Sequence, residues 1–120
     1  MNIGETYTLK YIVTDADTAE AIGSGGLPVY ATPAMICLME KTAYLAAAEN
    51  GLQTVGTKVN ICHLRACKAG TPVECTAEVI EAEGRRIMFS VRVSDNNGLI
   101  GEGQHERFSI DTERFLAKLA

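Results

Sequence analysis

The chain has 120 residues, which is the size of one domain, and we expect a single domain over residues 1–120. Hydrophobic residues make up 47% and charged residues 22% of the sequence, a balance typical of a folded globular protein and unlike that of a disordered chain. The net charge of −4 and the absence of a basic stripe argue against a nucleic-acid partner.

The first predicted element is a β-strand over residues 6–14. Apolar residues alternate there with more polar neighbours, as in a strand with one buried face: Tyr7, Leu9, Tyr11 and Val13. Residues 15–26 follow and end in Gly23-Ser24-Gly25-Gly26. Such a glycine-rich stretch is typical of a flexible connection.

One long helix is predicted over residues 33–50. Thr32 suits its N-cap, where the hydroxyl accepts a hydrogen bond from a free amide, and Pro33 suits the first helical position. Gly51 stands where a left-handed residue ends a helix. Apolar side chains occupy nearly every side of this helix, which is typical of a helix that is buried all round. We therefore expect the other elements to wrap it.

Four further strands are predicted after the helix, over residues 55–66, 73–81, 87–93 and 99–110. The first of them changes its apolar parity between Ile61 and Leu64, which indicates a bulge or bend. Glu83-Gly84 and Asn96-Asn97-Gly98 supply turns. A strand, a buried helix and a four-strand meander predict an α+β protein whose antiparallel sheet curls around one helix, the architecture of the hotdog fold.

The sequence shows neither a membrane span nor a secretory signal. No apolar run approaches the roughly 18 residues that cross a bilayer, and the first residues lack a charged region followed by an apolar one. The four cysteines form no CxxC pair, and no zinc-ligand pattern surrounds the two histidines. We therefore expect reduced, buried thiols in a cytoplasmic protein without a bound metal or a membrane partner.

Glu40 is the unusual residue of the predicted helix, because its neighbours three and four positions away carry no charge. A carboxylate there is costly unless it is paired or neutralised. Two interpretations stay open. Glu40 belongs to a narrow strip that faces solvent or an interface, or it is a buried carboxyl suited to proton transfer.

Four other residues have both an ordinary and a chemical interpretation. Thr32 is either an N-cap or a hydroxyl beside helix amides that suit an oxyanion. His63 is either structural or a carrier of protons, and His105 is a weaker candidate of the same kind. Arg107 is either in an exposed ion pair with a nearby glutamate or a donor to phosphate or carboxylate.

Four segments, in order along the chain, resemble the fluoroacetyl-CoA thioesterase-like family of hotdog proteins: VYATPAMICLME at 29–40, GTKVNICH at 56–63, EGRR at 83–86 and HER at 105–107. The similarity runs from about Gly4 to the C-terminus. It implies that the protein hydrolyses an acyl-CoA thioester and that coenzyme A is part of the substrate, with no separate cofactor. It also implies a homodimer with active sites at the subunit interface, while further pairing into tetramers stays open.

The resemblance assigns roles to five residues. The family's catalytic threonine, glutamate and histidine fall on Thr32, Glu40 and His63. Its CoA-contacting glycine and arginine fall on Gly56 and Arg107.

The resemblance weakens just before the helix. The namesake of the family carries a longer lid with aromatic residues there, whereas residues 21–27 of this chain are glycine-rich and contain none. A small acyl group is expected, but the acyl specificity is left open.

Two other functions stay open beside hydrolysis. One is a non-catalytic hotdog module that binds acyl-CoA or a partner, and the other is a hotdog dehydratase or hydratase that acts on the acyl chain. Thr32 and Glu40 are eight positions apart, roughly 12 Å along a helix, so they cannot share a hydrogen bond in one straight helix. Glu40 then acts from the far side of the substrate, or the partner subunit supplies it.

Overall fold

A computed structural model describes all 120 residues of the chain. Its elements, in chain order, are β1 (Thr6–Ile12), a 3-10 turn (Asp15–Asp17), α1 (Ala19–Ile22), α2 (Thr32–Glu49), β2 (Thr54–His63), β3 (Pro72–Glu83), β4 (Arg86–Asp95), β5 (Gly98–Ser109) and α3 (Thr112–Ala117). None of the helices combines the length and the apolar character needed to cross a lipid bilayer. The cytoplasmic location stays a prediction.

The five strands form one antiparallel sheet in the order β1-β3-β4-β5-β2. The strands β3, β4 and β5 follow one another through tight turns, which confirms this part of the predicted meander. The prediction is wrong for β2, which pairs with β5 and lies at an edge of the sheet. The segment 64–71 is too long for a tight hairpin, and it carries the chain from β2 to the other side of the sheet.

The core lies between the sheet and α2. The alternating residues of the two central strands are buried, as predicted: Val73, Cys75, Ala77, Val79, Ile87, Phe89, Val91 and Val93. One stripe of α2 is buried against them: Met35, Leu38, Met39, Thr42, Ala43, Ala46 and Ala47. The sheet and the helix therefore form two layers around one apolar core.

The sheet covers only one side of α2. Cys37 and Lys41 are exposed, and Ile36 and Tyr44 are half-buried. The prediction that α2 is wrapped on every side is wrong within one chain, because one sheet layer can cover only one face of a helix. The other face of α2 remains largely apolar and has no partner in this chain.

The helix α2 begins one residue earlier than predicted. Ala31 is the N-cap and makes no side-chain cap bond, so the N-cap interpretation of Thr32 is wrong. Pro33 lies in the first turn, where the missing N–H costs no hydrogen bond. At the other end Gly51 has a φ of 75°, the left-handed conformation predicted for it.

Other differences from the prediction are local. The segment 15–26 is not wholly irregular, because it contains the 3-10 turn and the single turn of α1. The register of β2 against β5 shifts between Gly56 and Lys58. Of the predicted bulge or bend between Ile61 and Leu64 no bulge forms, since the register is regular up to His63, where the strand ends, and the chain bends at Arg65. The short helix α3 was not predicted.

The four cysteines are free thiols, and only part of the prediction for them holds. Cys75 is buried and Cys67 is half-buried, but Cys37 and Cys62 are exposed. Cys37 lies on the uncovered face of α2, and Cys62 lies on the outward face of the edge strand β2. Burial of these two would need a cover that a single chain lacks.

Gly103 permits the close approach of β5 to β2. A Cβ at this position would lie 2.2 Å from the carbonyl oxygen of Asn60 and 2.6 Å from the Cα of Ile61. We expect Gly103→Ala to lower the free energy of unfolding by about 1–3 kcal/mol, because the backbone of β2 must move. Urea unfolding followed by circular dichroism measures this loss.

Gly26→Ala is the matched control for this substitution. Gly26 is exposed and no atom lies within 4 Å of an added Cβ, so its free energy of unfolding should change by at most about 0.5 kcal/mol. Equal stabilities of the two variants would show that β5 and β2 are not in close contact at Gly103.

Candidate active site

The first half of the site joins the start of α2 to the end of β2. The Oγ1 of Thr32 and the Nδ1 of His63 lie 2.8 Å apart, which is a hydrogen bond between side chains 31 positions apart in the sequence. The bond forms because Thr32 is the first helical residue and its hydroxyl is not used as a cap. A hydroxyl beside an imidazole can lose its proton to it or be oriented by it.

The imidazole of His63 lies in a sheltered place. Partial burial lowers its pKa below the ordinary value of 6.5, so the ring is neutral at neutral pH. Its Nε2 is buried without a hydrogen-bond partner. The ring of Tyr30 meets it edge-on, with the ring centroids 6.5 Å apart. A neutral imidazole held in this way can accept a proton.

A cavity of about 350 Å³ opens beside the Thr32–His63 pair. Its walls come from the segment before α2, the first turn of α2 and the chain just after β2. Cavities of this size are within the range that binds small ligands. None of the other predicted site residues lines it.

The second half of the site is built around the buried side chain of Arg107, which is 7% exposed. Its Nε donates to Thr54 Oγ1 at 2.8 Å and its Nη2 donates to the carbonyl oxygen of Thr54 at 3.1 Å. Its Nη1 donates to Nε2 of His105 at 3.0 Å. The guanidinium also lies over the ring of Tyr44, with 5.8 Å between Cζ and the ring centroid.

The exposed ion pair that was one interpretation of Arg107 does not form. Glu106 instead bonds Arg86, with 2.6 Å between Oε2 and Nε, and Glu102 faces Arg92. Alternation along β5 sends the side chains at 102 and 106 outward and the side chain at 107 inward. Arg107 is thus a cation held inside the protein. Burial lowers its pKa and the charge of Glu40 raises it.

Glu40 reaches the same place from α2. A Cβ on Gly56 would lie 3.1 Å from Oε1 of Glu40, 3.1 Å from Cε1 of His105 and 3.3 Å from Nη1 of Arg107. The missing side chain of Gly56 therefore leaves the space in which these three groups converge. Glu40 and Arg107 nevertheless form no ion pair within 4.0 Å.

The five predicted site residues thus fall into two groups on one chain. Thr32 and His63 form one group, and Glu40, Gly56 and Arg107 form the other. No side-chain hydrogen bond joins the groups, and the rise of α2 separates Thr32 from Glu40 by roughly 12 Å. Glu40 is half-buried, which places it between its two predicted interpretations.

His105 has more contacts in the site than its sequence context indicated. It is 1% exposed, and its Nδ1 lies 2.8 Å from the carbonyl oxygen of Lys58. Its spacing of two from Arg107 on a strand was a usable signal, since such residues share a face. Thr54 and Tyr44 carried no comparable signal, because other elements supply them. No group of three His, Cys, Asp or Glu side chains that could hold a metal ion is formed.

Comparison with known proteins identifies the family. The family model FlK, described as fluoroacetyl-CoA-specific thioesterase, matches residues 13–113. The chain belongs to the FlK family. The predicted membership of a thioesterase family is therefore confirmed, and with it the expectation of a thioester hydrolase.

Individual FlK relatives support the assignment over nearly the whole chain. The fluoroacetyl-CoA thioesterase of Streptantibioticus cattleyicolor is 35% identical over an alignment of 128 positions, gaps included, that covers 99% of this chain and 92% of that protein. The solved structure of an FlK variant in complex with acetyl-CoA superimposes with a TM-score of 0.93 and 32% identity, covering 99% of this chain and 96% of that one.

The fold is shared more widely than the FlK family. A hot-dog-like protein from Thermanaerovibrio acidaminovorans is 21% identical and superimposes with a TM-score of 0.89, covering 99% of this chain and 90% of that one. With the antiparallel sheet against one long helix, this likeness confirms the predicted α+β hotdog fold.

Both histidines should titrate below pH 6.5 in the folded protein, because burial is the largest cause of the lowered pKa values of His63 and His105. Since the unfolded chain binds these protons more readily, their contribution to stability is present above pH 6.5 and is lost as the pH falls through the lowered pKa values. NMR titration of ¹⁵N-labelled histidine measures both pKa values. The variants His63→Gln and His105→Gln assign the signals, and a pKa at or above 6.5 for either ring would contradict the burial argument.

Proposed function

We propose that the protein is an acyl-CoA thioesterase that hydrolyses a small acyl-CoA to a free acid and coenzyme A. The observation that carries this proposal is the 2.8 Å contact between Thr32 and His63 in a chain of the FlK family. The relative from Streptantibioticus cattleyicolor, a fluoroacetyl-CoA thioesterase, supports the same reaction class. Coenzyme A enters as part of the substrate, and no further cofactor is invoked.

Hydrolysis of a thioester needs a nucleophile, groups that move protons and stabilisation of the oxyanion. Thr32 lies in the first turn of α2, where unbonded amides and the helix dipole suit a developing oxyanion. The neutral imidazole of His63 exchanges a proton with Thr32 or with the leaving thiolate. In one route Glu40 accepts a proton from the attacking water, and the C–S bond then breaks to release coenzyme A as a thiolate that takes up a proton. In the other route Glu40 attacks the carbonyl carbon, the thiolate leaves to give a transient anhydride, and water then hydrolyses the anhydride to the free acid and the Glu40 carboxylate.

The two halves of the site would meet between two copies of the chain. In this arrangement Thr32 and His63 of one subunit face Glu40, Gly56 and Arg107 of the other across the substrate. The separation of the two groups within one chain supports it, because neither half contains both the hydroxyl and the carboxylate. A twofold axis would then build two identical sites from two incomplete ones.

The surface of the chain also supports a homodimer. The uncovered face of α2 is largely apolar, and β2 pairs on one side only. Most of β2 is exposed, including Val59 at 37%, so its free backbone groups could pair with a second copy. The same exposed strand carries Gly56 and His63, so an interface along it would lie beside both halves of the site.

The expected acyl group is small. Residues 20–28 are all exposed and contain no aromatic side chain. Ile22 and Leu27, the large apolar residues of this segment, are 46% and 65% exposed. This segment therefore supplies no aromatic cover for the acyl group, and Arg107 and Gly56 are the expected contacts to the acyl-CoA.

A thiol-release assay with a panel of acyl-CoAs tests the reaction class. We expect free coenzyme A from short acyl-CoAs, and we expect Glu40→Gln and His63→Ala each to lower kcat by about 100-fold or more while the chain stays folded. A binding module would release no thiol, and a hydratase would alter the acyl chain with the thioester intact. Unchanged rates in both variants would remove these residues from the site.

Mixed dimers test the shared site. Thr32→Ala and Glu40→Gln subunits are inactive alone, but each mixed dimer would contain one site with both groups intact. A random equal mixture should then recover about one quarter of the wild-type rate, since half of the dimers carry one good site of two. Activity is measured after unfolding and refolding the two variants together.

The control mixes Thr32→Ala with His63→Ala. Thr32 and His63 belong to the same half of the site, and each subunit of a mixed dimer has lost one of them. Every site in the mixed dimer therefore lacks either the hydroxyl or the imidazole. This mixture should stay inactive. Recovery in the control would mean that Thr32 and His63 of different subunits act in one site, whereas no recovery with Glu40→Gln would mean that the complete site lies within one chain.

A further inference from the structure

The hydrogen bonds of His105 permit only one form of its ring. The carbonyl oxygen of Lys58 can only accept, so Nδ1, which lies 2.8 Å from it, must carry the proton. A guanidinium can only donate, so Nε2, which lies 3.0 Å from Nη1 of Arg107, must be unprotonated. His105 is thus a neutral imidazole in one tautomer, and it acts on Arg107 as a hydrogen-bond acceptor.

The other bonds of Arg107 leave little freedom for its guanidinium. Thr54 accepts from Nε and Nη2, and His105 accepts from Nη1. Three of the five N–H groups are engaged in this way. The remaining N–H of Nη1 is available in the space over Gly56, which Oε1 of Glu40 also borders.

A charge so placed should attract the nearby carboxylate. Oε1 of Glu40 and Nη1 of Arg107 border the same space over Gly56, yet the two side chains form no ion pair within 4.0 Å. An arginine deprived of an acceptor at Nη1 would be left with an unpaired buried donor. The nearest acceptor for this donor would be the carboxylate of Glu40, in a direct ion pair with Arg107.

We propose that His105 is a positioning residue of the thioesterase site, whose Nε2 holds Nη1 of Arg107 beside Gly56 and out of a direct ion pair with Glu40. The carboxylate then stays free to take a proton from water, and Arg107 keeps an N–H free for an oxygen of the substrate. The inference rests on the proposed function. It adds to that function a reason why a histidine, and not another buried side chain, stands at position 105.

Substitution of His105 by glutamine or by asparagine tests its two hydrogen bonds one at a time. Glutamine reaches about as far as Nε2 and offers an amide oxygen to Arg107, whereas asparagine ends near Nδ1 and keeps only a donor for Lys58. We expect His105→Asn to lower kcat by about 10- to 100-fold with KM changed by less than about threefold, and His105→Gln to retain most of kcat. Steady-state thiol release on folded protein, quantified by circular dichroism, gives both constants.

A double-mutant cycle shows whether His105 acts through Arg107. In an Arg107→Leu background, His105→Asn should change kcat by less than about twofold, because the bond that it removes is already gone. A merely structural role would lower the melting temperature and leave kcat of the folded fraction unchanged. Equal kcat for the Asn and Gln variants, or a full effect of Asn without Arg107, would overturn the proposal.

Thr54 supplies a second test if His105→Asn does not fold. Thr54→Val removes the acceptor for Nε of Arg107 with almost no change of shape, and Thr54→Ser keeps it. The valine variant should lower kcat and the serine variant should not, whereas equal rates would count against positioning of Arg107. The variant Glu40→Gln distinguishes a failure of the proposed thioesterase function from a failure of the role of His105. Full activity of Glu40→Gln overturns the proposed function, whereas an inactive Glu40→Gln beside a fully active His105→Asn overturns only the role of His105.

Discussion

The packing of α2 against one face of the antiparallel sheet is the constraint on which the rest of the structure depends. One stripe of the helix is buried, and this fixes its rotation about its own axis. The helix rises by about 1.5 Å per residue, so Thr32 and Glu40 are presented at different levels. The edge strand β2 runs beside them, with Gly56 near its start and His63 at its end. The helix α2 and the strand β2 therefore contribute to both halves of the site, and β5 adds Arg107 and His105 to the second half.

The packing of α2 against a single sheet also explains which surfaces of one chain remain uncovered. A sheet of one layer covers one side of a helix, yet the residue types of α2 are apolar on nearly all sides. The uncovered face, the unpaired edge of β2 and the separation of Thr32 from Glu40 are three consequences of that geometry. A second copy of the chain would account for all three features. An interface along β2 and α2 would cover the apolar surface and bring the carboxylate of Glu40 of one subunit to the hydroxyl of Thr32 of the other.

A buried cation is the most demanding feature of the site. Taking the guanidinium of Arg107 out of water costs several kcal/mol, and such a charge is tolerated only where hydrogen bonds replace its hydration. Thr54 and His105 supply those bonds, and the ring of Tyr44 adds a favourable face. Because no carboxylate neutralises Arg107 directly, its field remains available in the space over Gly56, where Glu40 also points. The guanidinium of Arg107 and the carboxylate of Glu40 thus lie near each other without forming an ion pair within 4.0 Å.

The sequence by itself determined the period of each strand, the extent of the long helix and the glycine that ends it, because these depend on neighbours two to four positions away. The family resemblance assigned catalytic roles to Thr32, Glu40 and His63, and these roles stay predictions. Only the tertiary structure decided that Thr32 bonds His63 and does not cap α2, that β2 pairs with β5, and that Arg107 is buried against His105. Those contacts join residues that are distant in the chain or hidden by the packing of another element, and no local pattern of residue types contains that information.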